Sequence, residues 1–442
     1  MTASCAKPRV AGQIILRRQG SDKMSFSPAL RRPPTAPPPV ETIALEYGAD
    51  EPLVLESLDG GAMAFAAPPG VVGAEARSLV MEAVTAPLHG PPLTAHVVPG
   101  DRVVIAVAGD VVQAPAVVDA ILECLVSAGV AESDATVLEG PALGFMASGR
   151  VAAQPAIASA EAFDPAVDAA TSYLAADEAG RPLHLARALV DADVVVAVGE
   201  WGFSPALGGR SIEGELWPTF ARAECRRDLL VALTRRGRGA LADWKSGMQE
   251  IAWQLGVCAN LRLVRGANAS LAAARFGLPD EASRQARQSA AAWCPAMDPM
   301  ADLAVASLSD PDGGFGAIVA AAAAAARVTR PGGTICIACR DIEPAGVVFT
   351  RWRQGAPLEG LVHEAVATHD PVLIADALLT RLFARALDDR RLVLLSDLGE
   401  EIVEELEFGY AASAEVVERL AHRAERFVVL AEADRCLPKA ID

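Results

Sequence analysis

The chain has 442 residues, a hydrophobic fraction of 52% and a formal net charge of −17. Its length allows two or three domains with separate cores, and its acidic balance excludes a large basic surface for nucleic acid. The longest uncharged apolar tract, residues 315–326, is shorter than the roughly 20 residues that a membrane-spanning helix needs. We therefore expect neither nucleic acid nor membrane among the partners.

The cysteines and the first residues set the expected compartment and the start of the folded body. Eight cysteines are scattered through the chain, which is too sparse for a disulfide framework and favours a reducing, cytoplasmic environment. Residues 1–39 are rich in Lys and Arg, contain the single acid Asp22 and end in a run of prolines. We predict that they form a disordered basic tail, with Met24 as an alternative start.

The folded body opens with short strands and a helix near residues 74–86. A strand–helix unit follows, with a strand at Arg102–Ala108 and a helix at Ala116–Ala128 before the stop signal Gly129. Further elements of this half are predicted as strands at 135–138, 194–198 and 260–264 and a helix within 238–256.

The second half repeats the alternation. We predict a helix near Leu271–Phe276, and then a strand, helix and strand at 303–307, 316–328 and 334–338. The remaining elements are predicted as helices at 371–386 and 414–423 and strands at 391–396 and 426–430.

This alternation predicts an α/β fold of two Rossmann-like domains with a cleft between them and a mostly parallel first sheet. We place the first domain at residues 40–262, the second at 266–400, and a helix and strand segment that packs back on the body at 401–442.

The loop after the apolar run Val194–Val198 is the expected ligand site. A continuous apolar run is typical of a parallel strand covered on both faces, and ligands of such sheets bind beyond the carboxyl ends of strands. The loop from Glu200 to Trp217 occupies that position and is punctuated by glycines. Tight turns have the same composition, so the spacing alone does not decide between a turn and a site.

Common motifs of nucleotide and nucleophile chemistry are missing. The glycines have neither the dinucleotide spacing nor the phosphate-loop spacing, and no nucleophile elbow is present. Cys336 and Cys339 match C-x-x-C, but they lie in a predicted strand, where their separation points the sulfurs to opposite faces. We interpret them as buried core residues.

The order of several segments resembles the nickel-dependent lactate racemase family. The segments are Glu46-Tyr47-Gly48, Pro99–Pro115, Ala192–Gly199 with Gly208-Gly209, Ser307–Phe315 and Arg327–Ala338. The resemblance implies two α/β domains facing a cleft and an isomerase that racemises a 2-hydroxy acid. It also implies a nickel-pincer nucleotide that accepts a hydride while histidines move the hydroxyl proton.

The residues at the family's site positions differ here. Asp110 retains the aspartate that the family has after its first strand, but Gln113 replaces an arginine of the family. Arg210 or Ser211 stands where the family has the lysine that tethers the cofactor. The segments near Glu139 and Glu200 lack the family's histidines. We expect the candidate site residues to converge, with no metal among them: Asp110, Gln113, Glu139, Glu200, Gly208, Gly209, Arg210 and Ser211.

Lysine usage leads to the same expectation. Of four lysines, Lys245 alone lies in the body away from the terminal segments, and arginine cannot replace lysine as a covalent nucleophile. We therefore predict that the nickel-pincer nucleotide is absent.

Three hypotheses about the function remain: a divergent racemase acting on a hydroxy acid or related anion, a non-catalytic binding or partner subunit, or an enzyme of other chemistry in the same cleft.

Overall fold

The computed structural model describes residues 14–17, 41–57, 62–109, 111–141, 160–176, 180, 182–207, 216–257, 259–297, 301–311, 313–340 and 345–440. Within these ranges the strands are β1 (Ile14–Arg17), β2 (Glu41–Leu45), β3 (Leu53–Ser57), β4 (Ala62–Phe65), β5 (Val103–Val107), β6 (Ala135–Glu139), β7 (Glu161–Ala162), β8 (Thr171–Ala176), β9 (Pro182–Ala186), β10 (Val194–Glu200), β11 (Ala259–Arg265), β12 (Leu271–Gly277), β13 (Ala296–Met297), β14 (Ala301–Ser307), β15 (Thr329–Ala338), β16 (Arg391–Leu395), β17 (Gly409–Tyr410), β18 (Phe427–Leu430) and β19 (Lys439–Ala440).

The helices in the same ranges alternate with these strands. They are α1 (Gly73–Thr85), α2 (Ala114–Ser127), α3 (Arg187–Asp191), α4 (Leu216–Thr219), α5 (Ala223–Arg236), α6 (Leu241–Gln254), α7 (Pro279–Ser289), α8 (Phe315–Ala325), α9 (Val347–Arg353), α10 (Leu358–Ala367), α11 (Pro371–Leu387), α12 (Glu400–Glu405) and α13 (Ala414–Arg423). None of the helices in the described ranges has the length and apolar character to cross a bilayer.

The first large sheet has the order β12-β11-β10-β5-β6-β7 in the described part of the chain, and only β12 runs antiparallel to its neighbour. Val103 pairs with Val194, so the two apolar runs that the sequence marks as strands lie side by side. Helices α1 and α2 cover one face of β5, and α3, α4 and α6 pack on the other. Burial on both faces explains why these strands are continuously apolar, and the predicted mostly parallel sheet is confirmed.

The second large sheet has the order β17-β16-β15-β14-β18-β4, and every pairing described within it is parallel. The hairpin β2–β3 and α13 pack on one face, while α8, α9 and α11 pack on the other. Cys336 belongs to the first of these cores and Cys339 to the second, so their side chains do lie on opposite faces. Burial raises the pKa of the Cys336 thiol to about 12.

The sheets divide the chain differently from the boundaries that the sequence suggests. Residues 271–276, predicted as a helix, lie in β12, because pairing with β11 outweighs the helix propensity of their alanines. This strand extends the first sheet beyond residue 266, while β4 near the start of the chain pairs with β18 in the second sheet. Within the predicted disordered tail, Ile14–Arg17 forms β1 against β2, and the rest of the tail lies outside the described residues.

Apolar side chains also join the two halves. Leu229 and Leu233 of α5 lie in one buried cluster with Ile374 and Leu378 of α11. Arg381 of α11 adds a hydrogen bond of 2.7 Å to the carbonyl oxygen of Thr234. The two halves are therefore packed against each other through α5 and α11.

Candidate functional site

The charged residues at the carboxyl edge of the first sheet come from adjacent strands. Glu200 ends β10 and Arg265 ends β11, and the register pairs Glu200 with Leu263, two residues before Arg265. Because side chains alternate along a strand, Arg265 and Glu200 point to the same face. Ligands of parallel sheets bind at this edge.

Glu200 is buried and fully engaged by protein donors. Its Oε1 accepts a hydrogen bond of 2.6 Å from the backbone nitrogen of Val112, just before α2. The Arg265 Nε lies 3.3 Å from Oε2, and the Arg265 side chain is only 14% exposed. The carboxylate thus lies beside the positive amino-terminal end of α2 and is paired with a guanidinium, an arrangement that compensates its burial.

The segment after β11 is a tight loop that reaches the linker before α1. A Cβ at Gly266 would lie 2.9 Å from the backbone of Gly70, so only glycine fits this approach. Asn268 and Ala269 both adopt the left-handed region, with φ of 55° and 54°. We refer to residues 266–270 as the junction loop, because it lies between the two sheets.

Gln113 connects this loop to two helices. Its Oε1 accepts from the backbone nitrogen of Gly73 at 2.9 Å, and its Nε2 donates to the carbonyl oxygen of Ala269 at 3.0 Å. Gln113 itself has φ of 55° and precedes α2. Its amide therefore positions the starts of α1 and α2 against the junction loop.

Glu432 approaches the junction loop from the second sheet. It follows β18, has φ of 49° and is 0% exposed. Its Oε1 accepts from the backbone nitrogen of Asn268 at 2.8 Å, and its own nitrogen lies 3.3 Å from the Ser307 Oγ. Among the described residues its Oε2 has no hydrogen-bond partner. Burial raises the pKa of this carboxyl to about 8.

A second polar group lies beside Glu432 at the carboxyl edge of the second sheet. Asp434 accepts hydrogen bonds from both the backbone nitrogen and the hydroxyl of Ser309, at 2.7 and 2.5 Å. The Nε of Arg435 lies 3.2 Å from the Ser309 Oγ and 3.3 Å from Asp434. Strand ends from both sheets thus bring polar side chains to one junction.

Some of the residues predicted from the sequence lie in this network. Glu200 accepts a hydrogen bond from the nitrogen of Val112, the residue before Gln113, so the structure places these two candidates near each other. Glu139 ends β6, next to β5, and its Oε2 is buried without a partner among the described residues. Convergence of the remaining candidates stays a prediction, because they lie outside the described residues: Asp110, Gly208, Gly209, Arg210 and Ser211.

Arg265, Asn268 and Glu432 were missed by the sequence-based site prediction. Arg265 lies between the two predicted domains, 40–262 and 266–400, although a charged residue closing an apolar strand is the same signal that marked Glu200. Glu432 follows the apolar strand Phe427–Leu430 in the same way. Asn268 had no comparable signal, because its role depends on a left-handed backbone conformation.

The two hydrogen bonds of Gln113 lead to a stability prediction. Gln113→Ala is expected to lower the free energy of unfolding by about 1–3 kcal/mol, since each lost hydrogen bond contributes about 0.5–1.5 kcal/mol. Gln113→Gly loses the same bonds but is expected to cost less, because glycine adopts φ of 55° without steric strain. Urea unfolding of both variants measures the difference. If Gln113→Ala proves as stable as the wild-type protein, these bonds contribute nothing to stability.

A class of protein follows from the fold and the junction: an α/β protein with two mostly parallel six-stranded sheets, whose carboxyl ends contribute side chains to one junction. No family model and no curated protein sequence matches the chain. The structure is similar to the lactate racemase apoprotein of Thermoanaerobacterium thermosaccharolyticum, with a TM-score of 0.66, 15% identity and coverage of 90% of this chain and 100% of that chain. The chain therefore has a lactate racemase-like fold.

A second solved structure has the same architecture. It is a structural-genomics protein from Thermotoga maritima, with a TM-score of 0.58, 13% identity and coverage of 83% of this chain and 98% of that chain. At these identities, both comparisons concern the fold.

The cofactor implied by the sequence resemblance requires a tethering amine and ligands for nickel. No lysine or histidine occurs in the segments that follow the parallel strands: 108–113, 140–159, 201–215 and 266–270 in the first half, and 308–314, 339–346, 396–399 and 431–438 in the second. Lys245 is exposed on α6 and Lys439 on β19. In the described ranges, no group of three or more His, Cys, Asp or Glu residues could hold a metal ion. The sequence segments after the parallel strands thus contain neither an amine for a tether nor an imidazole for nickel.

Proposed function

We propose that this chain uses its lactate racemase-like fold to bind a small carboxylate, a 2-hydroxy acid or a related anion, without a nickel-pincer nucleotide and without racemising lactate. The observation that carries the proposal is that neither lysine nor histidine follows any parallel strand of the two sheets. Imidazole is a usual ligand of nickel, and a covalent tether needs a nucleophilic amine. Arginine provides neither, because it stays protonated.

The distribution of charge favours Arg210 as the group that receives the anion. Glu200 already lies at the amino-terminal end of α2 and is paired with Arg265, so this anion-binding position is filled by the protein itself. Arg210 belongs to the glycine-rich segment that follows β10 in the sequence. A guanidinium there could pair with a carboxylate through two parallel hydrogen bonds.

A carboxyl group at the end of β6 would then orient the rest of the ligand. Glu139 ends the neighbouring strand and has a buried oxygen without a partner among the described residues. Such an oxygen is suited to accept a hydrogen bond from the hydroxyl of a hydroxy acid. In this arrangement, the arginine binds the carboxylate of the ligand and a protein carboxylate binds its hydroxyl group.

Isothermal titration calorimetry with glycolate, L-lactate and D-lactate tests the proposal directly. We expect binding to at least one of these anions, and we expect Arg210→Ala to weaken it about 10- to 100-fold, as for loss of a charged hydrogen-bond pair. Arg419→Ala on the exposed surface of α13 is the matched control and should leave the affinity unchanged. Absence of binding to all three anions, or equal effects of the two substitutions, would contradict the proposal.

A further inference from the structure

Glu432 forms a direct polar contact between the two sheets. It follows β18 of the second sheet, and its Oε1 accepts from the backbone nitrogen of Asn268, which follows β11 of the first sheet. The side chain is 0% exposed, and Oε2 has no partner among the described residues. A buried carboxyl with only one oxygen engaged is compatible with the neutral acid and costly for the ionised form.

Two hydrogen-bonded routes connect the junction loop to residues 111–113 before α2. In one route, Ala269 accepts from the Nε2 of Gln113. In the other route, Arg265, the residue directly before the loop, pairs with Glu200. Glu200 in turn accepts a hydrogen bond from the nitrogen of Val112. Residues 111–113, which include the candidate site residue Gln113, are thus held by the junction loop and by Arg265 directly before it.

Burial, rather than the surrounding charges, favours the neutral form of Glu432. From its own segment Asp434 opposes ionisation, whereas Arg435 favours it, and Arg265 from the end of β11 also favours it. Both guanidinium groups already contact carboxylates, Arg435 with Asp434 and Arg265 with Glu200. Burial is the largest effect, and it raises the pKa of Glu432 from an ordinary 4.5 to about 8.

We propose that the junction closes with a proton on Glu432, and that loss of this proton releases the junction loop and, with it, residues 111–113. The proposal requires no ligand and is independent of the proposed function. Because the closed state holds the proton more tightly than an open, solvated state, the contribution of Glu432 to closure is complete below about pH 4.5. It then falls as the pH rises and is lost above about pH 8.

Hydrogen–deuterium exchange of the full chain tests this coupling. After correction for the pH dependence of chemical exchange, protection of peptides covering 265–270 and 111–117 is expected to fall about 100-fold or more between pH 5.5 and pH 9. In Glu432→Gln the amide imitates the neutral carboxyl, so protection should stay near its low-pH value throughout. Failure of the wild-type protein to lose protection overturns the proposal without requiring any variant to fold.

Glu407→Gln is the matched control. Glu407 is also a glutamate with positive φ, 53°, but its side chain is 67% exposed and pairs with Arg353 away from the junction. This variant should lose protection with rising pH as the wild type does. If Glu432→Gln loses protection in parallel with Glu407→Gln, another group is responsible for the pH dependence and the assignment to Glu432 is wrong.

Discussion

Co-expressed with proteins that synthesise the nickel-pincer nucleotide, this chain is expected to retain the mass of its unmodified polypeptide and to racemise lactate at least about 10⁴-fold more slowly than a complete lactate racemase. Loss of one acid–base group typically costs about 10²- to 10⁴-fold in rate. Here the histidines and the tethering lysine are absent together from the segments after the parallel strands. The large expected effect follows from these combined losses.

Intact-mass spectrometry and metal analysis test the first half of this prediction, and a lactate racemisation assay of the same preparation tests the second. The lactate racemase of Thermoanaerobacterium thermosaccharolyticum, expressed in the same host, is the positive control for cofactor synthesis. An adduct with stoichiometric nickel would contradict the prediction. Lys245→Arg would then show whether the exposed lysine of α6 forms the attachment, because arginine retains the charge but cannot act as the nucleophile.

Local patterns predicted most of the second half of the chain and the centre of the first sheet. The apolar run at Val194–Val198 and the strand after Gly100 were placed correctly, because central parallel strands are buried on both faces and leave a continuous apolar signal. Helix α13 begins and ends where the periodicity predicts. These elements depend on information contained within a few residues.

Elements fixed by distant pairing were harder to predict. β12 has an alanine-rich sequence that favours a helix, and only its pairing with β11 makes it a strand. β4 joins the second sheet through β18, from the opposite end of the chain. A boundary based on sequence order places such segments in the wrong half.

The candidate site shows the same distinction. Glu200 was predicted because it ends a clear strand, and it lies in the network at the junction. Glu432 also follows a strand, but its partner Asn268 lies 164 positions away, so its burial and its contact could be found only from the fold. The chemistry at this junction depends on side chains that no local motif connects.

Arg265→Met is expected to lower the free energy of unfolding by about 3–5 kcal/mol, the typical cost of removing one partner from a buried ion pair. Arg265 is 14% exposed and Glu200 is 7% exposed, so the remaining carboxylate would keep only its bond from Val112 while water is excluded. Chemical denaturation at pH 7.5 measures the loss. Methionine retains most of the apolar volume, which limits the contribution of lost packing.

Two further variants determine whether the effect arises from the buried charge. Arg340→Met breaks a pair with Asp397 of similar distance, 2.8 Å, whose side chains are 35% and 49% exposed, and should cost no more than about 1 kcal/mol. Combining Arg265→Met with Glu200→Gln removes the uncompensated charge. The double variant should therefore lose less free energy of unfolding than the sum of the losses of the two single variants. Strict additivity, or an Arg265→Met cost no larger than that of Arg340→Met, would show that the Glu200–Arg265 pair does not hold the two strand ends together.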